Sequence, residues 1–212
     1  MILFKYRAHA ASLLVLTSLS GASALERSRI EAVGFASETV LIYRELDPAC
    51  ECQKGKCVFE DEGGKAACEP LLFYSIDLKT DKTAKIASES AARAEAKGPP
   101  PKLEPFPLAL DGEVLTASLG ADCQREYEHF AGQKEAAVCE VFLSSDSRGT
   151  KTVAKIQFWP SPNYAFKVLG YFASPRKSRI AVVVQESRYH FEGEMRTHQK
   201  IFGADLKSRF KK

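Results

Sequence analysis

The chain has 212 residues, 30 basic against 27 acidic side chains, and 45% hydrophobic content, which describes one ordinary domain with enough apolar material for a core. That balance supplies no electrostatic case for nucleic acid, whose phosphates call for a net basic stripe.

The first residues have the order of a secretory signal: basic Lys5 and Arg7, an apolar run over 10–19, then Ala22-Ser23-Ala24. Cleavage after Ala24 is expected, leaving residues 25–212 as a single β-rich domain of about +1 charge in the periplasm or medium. The apolar run is about half of the roughly 20 residues that span a bilayer, and no later stretch approaches that length, so no transmembrane segment is expected after cleavage. The residue after the small-residue motif is Leu25 rather than Cys, which gives a lipid anchor no attachment point there.

Residues 29–46 read as a strand, a reversal near Ser37-Glu38-Thr39, and a second strand rich in Val, Ile and Tyr. A loop with four cysteines, Cys50, Cys52, Cys57 and Cys68, then interrupts the pattern, and Cys123 and Cys139 form a separate pair. An even count beyond a signal implies disulfides in an oxidising compartment. The simplest pairing joins Cys123 to Cys139 and keeps two bonds inside the first loop, where three connectivities are open. A four-thiolate zinc site is the competing reading of that loop, but the paired Cys-x2-Cys knuckles are missing. Cys-x-x-Cys redox spacing is absent altogether.

Residues 70–80 resume as a strand with Leu72, Tyr74, Ile76 and Leu78 on one face, closed by a turn at Asp81-Lys82. Residues 86–97 favour a helix by alanine content, capped by Ser88 or Ser90. The segment 98–107, with Gly98 followed by Pro99, Pro100, Pro101, Pro105 and Pro107, is a stiff connector, since proline fixes φ and offers no donor. Strand patterns return over 113–119, 137–144, 152–159, 164–173, 179–186 and 199–206. Ala154, Ile156 and Phe158 alternate with Val153, Lys155 and Gln157, as a strand with one core face requires, whereas Val182-Val183-Val184 predicts a strand covered on both sides.

One phrase occurs twice. Gly34-Phe35-Ala36-Ser37 leads into the apolar run 40–43 and closes on Ile76-Asp77-Leu78-Lys79, and Gly170-Tyr171-Phe172-Ala173-Ser174 leads into 180–184 and closes on Ala204-Asp205-Leu206-Lys207. Such an echo marks a repeated antiparallel unit. Gly170 to Pro175, the apolar run, Phe191-Glu192-Gly193 and Gly203-Ala204-Asp205-Leu206 together resemble the C-terminal signature of a family of predicted secreted bacterial proteins of unknown function. The turn, strand and Asp-Leu closing strand are similar to one blade of TolB-like β-propellers. The resemblance implies an envelope or secreted location and no assigned activity. A closed propeller needs about four blades, so the expected fold is mainly β: two blade-like antiparallel sheets packed as a sandwich or partly open barrel, with one short Ala-rich helix and disulfide-braced loops.

No nucleophile elbow, phosphate-binding glycine loop or His-Glu-x-x-His helix appears. Among the remaining groups, His190, Glu192, Glu194 and His198 would hold a metal only if a hairpin gathered them, and a polar hairpin edge explains the same pattern without one. Asp111, Asp122 and Asp146 read as turn residues. Trp159 with Tyr164 reads as the rim of the core or of a small groove. No cofactor is expected. The leading reading is a non-enzymatic exported protein that binds a protein or envelope partner through disulfide-braced loops. A small metal-dependent or hydrolytic enzyme using residues 190–198, and an inhibitor-like module presenting the loop 50–68, are the alternatives.

Overall fold

In the computed structural model, which describes residues 25–26, 29–46, 51–53, 56–61, 64–67, 71–124, 136–159, 164–189, 195–207 and 210–211, both copies of the repeated phrase become sheets. The strands before the helix are β1 (Leu25–Glu26), β2 (Arg29–Phe35), β3 (Val40–Leu46), β4 (Glu51–Gln53), β5 (Lys56–Asp61), β6 (Gly64–Ala67), β7 (Leu71–Asp77) and β8 (Lys82–Ile86). Helix α1 (Glu89–Glu95) follows. The later strands are β9 (Leu108–Leu110), β10 (Glu113–Leu119), β11 (Ala137–Ser145), β12 (Gly149–Phe158), β13 (Ala165–Ala173), β14 (Arg179–Tyr189) and β15 (Met195–Asp205).

The first copy builds a four-stranded sheet in the order β2-β3-β7-β8, and the second builds a middle sheet in the order β1-β15-β14-β13. All pairings are antiparallel except that of β1, which lies parallel to β15. The strands after the proline connector form a third sheet, β12-β11-β10-β9, so the two expected blade-like units are joined by another of the same size. The four-cysteine loop contributes the small sheet β4-β5-β6.

The echo in sequence is an echo in hydrogen bonding. In the first copy the register shifts between Ala32 and Gly34, in the second between Val168 and Gly170. The aromatic after each glycine then bridges to the connecting segment: the Lys97 amide donates to the Phe35 carbonyl, and the Glu104 amide to that of Tyr171. The turns match as well, the Ala36 amide donating to Val40 (2.9 Å) and the Ser174 amide to Arg179 (3.0 Å). Both Asp-Leu-Lys endings fold identically. Asp77 accepts from the Lys79 amide and Asp205 from the Lys207 amide, each at 2.7 Å, while the Leu78 and Leu206 amides donate to Thr39 and Ser178.

Layering follows from which faces are apolar. Leu41, Tyr43, Ile76 and Leu78 of the first copy pack on Phe172, Ala181, Val183 and Ile201 of the middle sheet. On the other side, Ile180, Val182 and Val184 pack on Leu115, Cys139, Val141, Leu143, Ala154, Ile156 and Phe158 of the third. The unbroken valine run is thus buried on both faces, because β14 is the centre of a three-sheet stack. The stack is open, each sheet keeping its two edge strands. The outer face of the first sheet is covered by α1, whose Ala92 meets Ile42, Phe73 and Ile86.

Local signals account for the helix and the hairpins. The Ser88 side chain accepts from the Ala91 amide at 3.2 Å, the N-cap expected of it. Asp111 and Gly112 both take positive φ (50° and 79°), as a two-residue hairpin turn requires. The helix is shorter than the alanine pattern suggests: Ile86 is drawn into β8 opposite Phe73, Ser88 serves as the N-cap, and beyond Glu95 the backbone is extended at Ala96 and the Lys97 amide donates to Phe35.

Candidate functional site

The stack has two unlike ends. At one end lie the tight turns of both copies, held together by Glu38. Its carboxylate accepts from the Ser174 and Ser178 hydroxyls, each at 2.6 Å, and from the Arg176 amide at 3.0 Å, so the reversal of the first copy caps the turn of the second. Burial works to raise the Glu38 pKa, and these donors outweigh it, leaving the carboxyl below its ordinary value. Arg179 completes this end with an ion pair to Asp205 (2.8 Å) and a bond to the Leu78 carbonyl.

The long insertions belong to the other end. Leu46 and Leu71, the strand residues flanking the four-cysteine loop, are paired with each other, and Leu46 is paired with Arg29. The neighbouring Ile30 amide donates to Gln199 Oε1 (2.8 Å), which brings this end of the first sheet to the start of β15. At the same end β11 starts opposite the last residue of β12, Ala137 facing Phe158, and β14 and β15 meet at Tyr189 and Met195. Cys123 and Cys139 are bonded here, both buried, with Cα atoms 4.6 Å apart. Closing a loop of this length restricts the unfolded chain by about 3 kcal/mol.

Within this end sits a polar cluster on the face that packs toward the third sheet. Glu186 is 2% exposed. Its carboxylate accepts from the Tyr164 hydroxyl and from Arg188 Nη2 at 2.9 Å, and its other oxygen is ion-paired with Lys200 Nζ at 2.6 Å. Burial pushes the carboxyl up, but Lys200, Tyr164 and Arg188 outweigh it and hold its pKa below the ordinary value. Tyr164 is pushed well above the usual phenol range by burial and by its bond to Glu186. Arg188 lies over the Tyr164 ring at 5.2 Å, and Tyr164 packs on Phe158 (4.9 Å) and Phe166 (5.2 Å). Next along the chain, Trp159 is 65% exposed. A carboxylate held ionised in this way is a fixed charge rather than a proton donor at neutral pH.

Of the candidates read from the sequence, Cys123 and Cys139 are brought together. Cys52 and Cys57 face each other in the register of β4 and β5, and Cys50 and Cys68 lie outside the described residues. His198 is exposed on β15, opposite Glu186, while His190, Glu192 and Glu194 lie outside the described residues. Among the described residues no three His, Cys, Asp or Glu side chains are grouped to hold a metal, and no helix is long and apolar enough to cross a membrane. Sequence reasoning missed the Glu186 cluster, although parity pointed to it: Ile180, Val182, Val184 and Glu186 are alternate residues of one strand, so the carboxylate continues a core-facing row.

No family model, no curated protein and no solved structure matches the chain.

Proposed function

We propose that this protein is an exported, non-enzymatic binding module of the periplasm, envelope or medium, which takes hold of a protein or envelope ligand with its insertion end. The observation that carries the reading is the division of labour between the two ends. Hydrogen-bonded turns close one end, while the disulfide-braced excursion after Cys123, the connection after Trp159 and the four-cysteine loop all leave from the other. Loops gathered on one rim of a rigid β scaffold are the usual placement for recognition. The blade-like likeness of the two copies supports the same reading, with the sheets as scaffold and the interruptions as specificity.

Two measurements test it. The N-terminus of the exported chain is expected at Leu25, and a chain retaining Met1 overturns export. A photo-crosslinking residue at position 159 is expected to give discrete adducts in the producing cells, and the same residue at position 177, in the turn end, to give none. Adducts from 177 alone, from both positions equally, or from neither overturn the assignment of the binding end.

A further inference from the structure

The Glu186 cluster carries more positive charge than it needs to hold one carboxylate. Arg188 and Lys200 both pair with Glu186, yet their side chains remain 54% and 40% exposed. An arginine fork has five N–H donors and an ammonium three, so each cation keeps donors free after meeting Glu186. On alternate rungs of the β14–β15 ladder, exposed His198 stands opposite Glu186, and Arg196 occupies the register position opposite Arg188. Among the described residues of this face Glu186 is the one carboxylate, so the patch is net basic in a chain that is nearly neutral as a whole. The charge is also preorganised, because Arg188 is stacked on Tyr164 and pinned by Glu186.

Beside it stands an apolar group out of place. Trp159 follows Phe158, which packs on the same Tyr164 ring, and yet lies largely in water. Basic side chains that bind phosphate oxygens, next to an exposed indole that prefers the headgroup layer, are the two elements of peripheral attachment to an anionic bilayer. We infer that the insertion end docks on the phosphate-bearing headgroups of an envelope membrane, with Arg188 and Lys200 contacting phosphate and Trp159 entering the interface. This rests on the insertion end being the binding end, and it names the partner as a lipid surface.

Trp159 is the single tryptophan of the chain, so the unmodified protein reports on its own docking. Its emission is expected to shift to the blue with vesicles containing phosphatidylglycerol, not with phosphatidylcholine alone, and to return as salt screens the charges. Arg188→Gln and Lys200→Gln are each expected to weaken vesicle affinity about fivefold. Lys79→Gln, at the turn end, is expected to leave it unchanged. Circular dichroism identifies any variant that fails to fold, and the salt dependence of the unaltered chain tests the proposal independently of variants. No blue shift with phosphatidylglycerol overturns the proposal, as does full competition by millimolar inorganic phosphate, which makes this a site for free phosphate. Crosslinking from position 159 to a protein, with no vesicle binding, would sink the lipid surface and leave the binding end standing.

Discussion

Alanine at Gly170 is expected to destabilise the fold by at least about 3 kcal/mol, read as a lower urea midpoint at unchanged slope. Two penalties combine there. Gly170 holds φ at 152°, and an added Cβ would lie 3.0 Å from the Glu104 carbonyl carbon and closer still to its oxygen, where the connector docks on β13. Gly203→Ala is expected to cost almost as much for a purely steric reason, since its Cβ would meet the Leu78 carbonyl carbon at 2.6 Å and its neighbouring atoms at shorter range. Gly98 has a positive φ (76°) with nothing within 4 Å, so alanine there isolates the backbone penalty, about 1 kcal/mol. A Gly170→Ala loss no greater than that of Gly98→Ala would show that the connector does not lie against the middle sheet.

Glu186→Gln is expected to cost about 2–3 kcal/mol at neutral pH, because it removes the charge that satisfies two cations and leaves the amide nitrogen facing Lys200. The pH dependence gives the sharper test. A carboxyl whose folded pKa lies below its unfolded value contributes stability that is full above the ordinary carboxylate pKa and is lost as pH falls through the folded value. The gap between wild type and Glu186→Gln should therefore be widest near neutrality and close in acid. Glu38 also has a lowered pKa, but it is present in both proteins and cancels in the difference. A gap that stays constant from neutral to acid pH would mean that Glu186 contributes packing rather than charge.

Much of the scaffold was legible along the chain. Period-two alternation in β12 fixes which residues face the core, and the observed burial of Ala154, Ile156 and Phe158 follows it. An unalternating valine run requires cover on both sides, and Val182, Val183 and Val184 have it. Strand β8 was not legible: Lys82, Thr83, Ala84 and Lys85 are all exposed, so no apolar periodicity marks them, and their strand state comes from pairing with β7. Glu186 and Arg188 come from β14, Lys200 from β15 and Tyr164 from the residue before β13, and no spacing in sequence announces that they meet.

By itself, the sequence determined the repeat: two glycine-aromatic turns, two apolar strands and two Asp-Leu-Lys endings, each a local device whose hydrogen bonds close within a few residues or on the adjoining strand. It also supplied the cysteine count, of which Cys123 and Cys139 form a bond in the structure. Only the tertiary structure decided that the copies stack with a third sheet, that Glu38 of one copy caps the turn of the other, and that the insertions share an end with a buried carboxylate and its two cations. Those facts depend on which apolar faces find each other and on charges brought together across strands. Chain-local propensity carries no information about either.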